Sequence, residues 1–156
     1  MGEGTYHLVT LGCPKNQVDS DKLAGTLAAD GMAPTDSPAE ADLIVVNTCA
    51  FIADARQESV DTVLALADLR RDGARLVVTG CMAERYGDEL AAALPEVDSV
   101  AGFGVPVVLG RRPDGPSGSG PPLPSFDLLN LPRPASARPW AYVKIAEGCD
   151  RACGFC

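Results

Sequence analysis

Leu43-Ile44-Val45-Val46-Asn47-Thr48-Cys49 decides the fold: four consecutive apolar residues, two small polar ones, then a cysteine. A short apolar run without alternation has no face to give to water, so it reads as a strand buried on both sides, as in a parallel sheet. The same pattern recurs on either side. Upstream, His7-Leu8-Val9-Thr10-Leu11 closes on Gly12-Cys13-Pro14; downstream, Leu76-Val77-Val78-Thr79 closes on Gly80-Cys81. Val97 to Phe103 is predicted as a further strand before Gly104.

Helical stretches fill the gaps between these strings. Asp19, Ser20 and Asp21 offer capping groups for a helix carrying Leu23 and Leu27 on one face. Val60, Val63, Leu64 and Ala67 are spaced as the buried stripe of a second helix. Leu90, Ala93 and Leu94 mark a third, which ends at Pro95. Strands alternating with amphipathic helices predict an α/β fold, a doubly wound parallel sheet covered on both faces with right-handed connections. In such sheets ligands bind outside the carboxyl ends of the strands.

At 156 residues the chain has room for one core of ordinary domain size, and 46% hydrophobic residues is a globular composition. The N-terminus, Met1-Gly2-Glu3-Gly4-Thr5-Tyr6, lacks the basic and apolar regions of a secretory signal. Apolar strings of about five residues fall far short of the roughly 20 that span a bilayer. These features predict a cytoplasmic protein with no membrane partner. A formal net charge of −8 argues against nucleic-acid binding by this segment, since such a surface is normally basic.

The character of the chain changes from Gly110 to Pro139, which holds eight of the thirteen prolines. The division predicted is residues 1–109 as a cluster-binding domain, 110–139 as a Pro/Gly-rich linker, and 140–156 as the start of a second domain. Trp140-Ala141-Tyr142-Val143-Lys144-Ile145 reads as the first strand of that domain and leads to Cys149.

Six cysteines in a chain with cytosolic features call for metal or redox chemistry before disulfides. They form two sets. Cys149, Cys153 and Cys156 make a Cys-x-x-x-Cys-x-x-Cys run; three thiolates on one short loop can hold three irons of a cube and leave the fourth open to a ligand. Cys13, Cys49 and Cys81 each close a strand, 36 and 32 residues apart, or about one strand–helix unit. In a parallel sheet all three emerge on one edge, where strands about 4.8 Å apart leave room for a cluster a few ångströms wide. Small residues before each cysteine let backbone approach it, and helices starting just beyond favour thiolate over thiol. A buried, inert role for each cysteine and a zinc site are the competing readings; zinc sites usually draw on close cysteine pairs, which the first set lacks.

Other residues carry less. His7, early in the first strand, is assigned a structural role. Asp19 and Asp21 read as capping groups before catalytic carboxylates. Lys15 and Asn16, just past Cys13, either contact a cluster or line a solvated loop. Asn47, an amide at the end of a buried strand, either holds the Cys49 loop or touches a ligand. Gly102-Phe103-Gly104 is a turn, lacking the third glycine of a dinucleotide fingerprint. The charged run Asp68 to Arg75 is an exposed helix end.

Together these residues resemble the methylthiotransferase family of radical S-adenosylmethionine enzymes. Leu11-Gly12-Cys13-Pro14-Lys15-Asn16-Gln17-Val18-Asp19-Ser20-Asp21 looks like the family's opening motif, in the form that acts on a small-subunit ribosomal protein. Asn47-Thr48-Cys49 and Thr79-Gly80-Cys81 are similar to its second and third cysteine motifs. Ala141 to Cys149 resembles the approach to its radical signature. Asp150 and Gly154 depart from the residues common there, and neither departure removes a ligand.

The resemblance implies two 4Fe–4S clusters and S-adenosyl-L-methionine. Cys149, Cys153 and Cys156 would ligate the first cluster, which binds S-adenosylmethionine and yields the 5′-deoxyadenosyl radical. Cys13, Cys49 and Cys81 would ligate the second, which presents the sulfur. It further implies transfer of a methylthio group to the β-carbon of an aspartate of ribosomal protein S-twelve, with a separate electron donor. On this reading the chain is the front part of a longer enzyme and is inactive by itself. Two alternatives stay open: a tRNA adenosine methylthiotransferase of the same architecture, and a non-catalytic metal-binding module.

Overall fold

A computed structural model describes residues 4–102, 107, 133–135, 137–145 and 151–154. Five strands, β1 (Thr5–Thr10), β2 (Ala33–Pro34), β3 (Leu43–Thr48), β4 (Arg75–Gly80) and β5 (Ser99–Ala101), form one sheet in the order β2-β1-β3-β4-β5. Every pairing is parallel. Three α-helices connect them: α1 (Pro14–Ala29), α2 (Ala53–Leu69) and α3 (Cys81–Ala93), with a short 3-10 turn at Pro38–Glu40.

The unbroken apolar string of β3 is the centre of the molecule, and Leu43, Ile44, Val45 and Val46 are all completely buried. Side chains alternate across a strand, and β3 divides accordingly. Ile44 and Val46 pack with Leu76 and Val78 of β4 against Val63 and Leu66 of α2 and Met82 and Leu90 of α3. Leu43 and Val45 pack on the other side with Tyr6, Leu27 and Met32, joined by Leu8 and Leu23. Helices therefore cover both faces. At roughly 25 cal/mol per Å² of apolar surface removed from water, such two-sided burial is the main favourable term in folding.

Several local expectations are corrected. The first helix begins at Pro14, with Cys13 as its N-cap, so Asp19, Ser20 and Asp21 lie inside the helix and cap nothing. Proline suits the first helical position because its missing N–H has no helical partner there. Lys15 and Asn16 belong to the first turn of the helix, not to a solvated loop, and Asn16 is buried. In α2 Val63 is buried as expected, but Leu66 takes the inward place expected of Leu64, which is exposed. Ala93 is exposed as well. The two-residue β2 has no signature in the sequence, since Ala33 and Pro34 carry no strand pattern; parallel pairing with Thr5 and Tyr6 creates it.

Trp140–Ile145 does not form the expected strand. A strand needs a partner to satisfy its backbone, and Val143 and Ile145 are 80% and 94% exposed. The expected linker over residues 110–139 lies outside the described residues except for 133–135 and 137–139. The turn at Gly102-Phe103-Gly104 is likewise described only at Gly102. Among the described residues no helix is long and apolar enough to cross a membrane.

Candidate functional site

The register of the sheet brings the first three cysteines to one edge. Thr10 pairs with Asn47, and Thr48 pairs with Gly80. Cys49 and Cys81 therefore follow directly on two partnered residues of adjacent strands, with Cys13 three residues beyond the end of β1 alongside. Strand order adds a second reason to look here. The chain leaves β1 toward β2 on one side and resumes at β3 on the other, so the order reverses between β1 and β3. That reversal is the topological switch point, where doubly wound sheets open a crevice at their carboxyl ends. Cys13 and Cys49 flank it.

Two glycines make the edge tight. Gly12 has φ +91°, and a Cβ there would lie 2.7 Å from Cys49 Cβ and 3.0 Å from Cys49 Sγ. Gly80 has φ +92°, and a Cβ there would lie 2.6 Å from Thr48 O and 2.7 Å from Thr48 N. Each position combines a left-handed backbone with contact too close for any side chain. Gly80 is also the N-cap of α3, so the turn into that helix delivers Cys81 as its first residue.

Behind the cysteines lies a buried polar network. Asn16 Nδ2 donates to Leu11 O (2.7 Å) and Thr48 O (3.1 Å), joining the loop after β1 to the end of β3. Asn47 Nδ2 donates to Asn16 O (2.9 Å) and Ser20 Oγ (3.0 Å), which fixes the first turns of α1. Thr10 Oγ1 donates to the same Ser20 hydroxyl at 2.6 Å. The Cys49 N–H donates to Ser59 Oγ (3.2 Å), whose hydroxyl donates to Ala55 O (2.8 Å) within α2. Thr48 Oγ1 donates to Thr79 O at 2.6 Å. Asn47 thus holds the loops; its Oδ1 faces Gly80 and is the one buried side-chain oxygen or nitrogen without a partner among the described residues. Asn16, Ser20 and Ser59 were not legible as a network, because the chain brings them together only on folding.

The three thiols differ. Cys13 is exposed, Cys49 buried and Cys81 intermediate, and none is in a disulfide. Burial pushes the Cys81 thiol above its ordinary value; Lys15 pulls it down, while Cys49, Cys13 and Asp19 push it up. These effects place Lys15, Cys13 and Cys49 within electrostatic reach of Cys81. Cys81 Sγ also sits 3.8 Å from Asn16 Oδ1. The sulfurs share a neighbourhood without converging: among the described residues no three His, Cys, Asp or Glu side chains are arranged to hold a metal ion. Thiolates without a histidine suit soft metals and iron–sulfur clusters. His7 lies away from this edge, with Nδ1 2.9 Å from Thr35 O, as its structural assignment requires.

Of the second set, Cys153 is described and exposed; Cys149 and Cys156 lie outside the described residues.

Residues 5–102 match the family model described as "Uncharacterized protein family UPF0004". The chain is 48% identical over 162 residues to the "Ribosomal protein uS12 methylthiotransferase RimO" of Desulfosudis oleivorans, covering 96% of this chain and 36% of that protein. It is 45% identical over 158 residues to the protein of the same name from Myxococcus xanthus, covering 97% of this chain and 33% of that protein. To that of Anaeromyxobacter sp. (strain Fw109-5) it is 45% identical over 162 residues, covering 100% and 34%. The chain thus spans about a third of the length of the curated relatives it matches.

Proposed function

The chain belongs to the protein family UPF0004, and from that premise we propose that it is the sulfur-side portion of a methylthiotransferase that modifies an aspartate of ribosomal protein uS12. One observation carries the reading. Three cysteines close three neighbouring parallel strands: the Thr48–Gly80 register sets Cys49 and Cys81 side by side, and Cys13 and Cys49 flank the switch point. The names of relatives that align with 96 to 100% of the chain supply the reaction.

In this reading residues 1–109 are the cluster-binding domain, 110–139 a linker, and 140–156 the entry to a radical S-adenosylmethionine domain. Cys13, Cys49 and Cys81 hold one 4Fe–4S cluster, and Cys149, Cys153 and Cys156 hold the cluster that binds S-adenosylmethionine. The site fits the first assignment in its donor set: three free thiols, no disulfide, and close backbone at Gly12 and Gly80. Thiols spread along an edge are better matched to a cluster several ångströms across than to one ion. When bound, the clusters and S-adenosylmethionine supply the radical and the sulfur needed at an unactivated C–H bond, chemistry no side chain provides.

The chain's own residues bind and orient. Helices α1 and α3 begin at the cysteines and point positive ends toward an anionic centre. Lys15 adds a cation beside Cys81. Asn16 and Asn47 lock the two switch-point loops together, and Ser59 fixes the backbone of Cys49. The protein works in the cytoplasm with a separate electron donor and no membrane partner.

Mass analysis of cells lacking the gene for this chain tests the reading. Loss of the methylthio group from the aspartate of uS12 is the expected result. Retention of that group, with loss of methylthio-adenosine from tRNA, would assign the tRNA substrate instead.

A further inference from the structure

Two carboxylates of α1 engage a segment more than a hundred residues away. Lys144 Nζ donates to Asp19 Oδ1 and Oδ2 at 2.7 and 2.9 Å. Arg133 donates through Nε (3.1 Å) and Nη2 (2.8 Å) to Asp21 Oδ2, and through Nη1 to Tyr142 O (2.8 Å). Arg133 therefore grips the strip that carries Lys144 as well as the helix beneath it. Residues two apart point about 200° apart around a helix, so the contacts hold α1 from two sides. The Lys144 side chain is only 8% exposed. A lysine withdrawn that far from water needs a partner, and Asp19 accepts it with both oxygens. Neither aspartate caps the helix.

The placement of α1 gives these pairs their consequence. The helix starts at Cys13, and Asp19 sits six residues along it, about 9 Å of rise. Five residues of chain, at most about 18 Å when extended, separate Lys144 from Cys149. We propose that Asp19 and Asp21, with Lys144 and Arg133, form a two-point clasp that fixes the approach to the Cys149–Cys153–Cys156 run on the helix rooted at the Cys13–Cys49–Cys81 edge. The clasp is a property of the chain alone; its purpose rests on the function proposed above. A sulfur held at one cysteine set must meet a radical made at the other, and such a meeting gains its rate from fixed proximity and orientation. These four are positioning residues.

Trp140 is the only tryptophan and lies in the clasped segment, 5.0 Å from the Tyr142 ring and from the Arg138 guanidinium. Trp140 is itself half exposed, so its fluorescence anisotropy decay in the metal-free 156-residue chain reads the clasp through the motion of the segment. The double variant Asp19→Asn/Asp21→Asn should at least about double the amplitude of fast local motion, as expected for a segment released to open locally. The exchange Asp19→Lys/Lys144→Asp should restore much of the immobilisation that each single change removes. Lys144→Gln and Arg133→Gln probe the same pairs from outside the folded sheet and should act alike with unchanged far-UV circular dichroism. An identical anisotropy decay in the native chain and all these variants would overturn the clasp.

Its purpose is read in the full-length protein. Asp19→Asn should leave the reductive cleavage of S-adenosylmethionine within about two-fold and lower methylthio transfer at least about ten-fold, with partial rescue by the exchange. Equal loss in both steps would overturn the positioning role. A protein that binds no iron would refute the proposed function while the Trp140 result still decided the clasp.

Discussion

Gly12 and Gly80 carry more of the site than their size suggests. Each holds a left-handed backbone and lies where a methyl group has no space, one against Cys49 and the other against the Thr48 backbone. Gly80→Ala meets main chain that cannot yield, so it should cost at least about 1–3 kcal/mol in urea unfolding. Gly12→Ala meets the movable Cys49 side chain; it should cost less stability and displace the thiol, read as a changed alkylation rate at Cys49. The thiols themselves should respond to pH. Burial raises the Cys81 value and Lys15 opposes it, so Lys15→Gln should move the midpoint of Cys81 alkylation by iodoacetamide further up in pH. Only the thiolate reacts or ligates, so metal uptake by the free chain should weaken as pH falls. A midpoint unmoved by Lys15→Gln would contradict the electrostatic contact.

At the scale of elements, the strands were legible because they are buried on both faces. Leu43–Val46 and Leu76–Val78 leave no choice of environment, and both proved buried. Helix starts were harder to read. Asp19-Ser20-Asp21 has the composition of a cap, yet Pro14 sets the helix five residues earlier, and the acids serve tertiary ion pairs invisible in a local window. The Trp140–Ile145 run has strand propensity but no described neighbour to pair with, and propensity without a ladder does not make a strand. The cysteine edge was legible from spacing alone, whereas the Asn16–Asn47–Ser20 network was not, since its bonds join residues 27 and 31 positions apart. Stability should follow the same division. Leu76→Ala removes a completely buried side chain shared by two helices and should cost about 2–5 kcal/mol. Leu64→Ala, on the outer side of α2, should stay within about 0.5 kcal/mol.

For the molecule as a whole, strand order β2-β1-β3-β4-β5 does what no single element can. It reverses between β1 and β3, the place where doubly wound sheets bind ligands, and sets cysteines at the ends of three adjacent strands. Two helices begin at those cysteines, and one of them also carries the contacts to residues 133–145. This edge is proposed as a cluster site in its own right. The direct measurement is iron and acid-labile sulfide analysis of the 156-residue chain after anaerobic reconstitution, with Cys149, Cys153 and Cys156 all changed to serine. About four irons and four sulfides per chain are expected, lost when Cys49 is also changed to serine. Zinc without sulfide, or iron that survives loss of Cys13, Cys49 and Cys81 together, would contradict it.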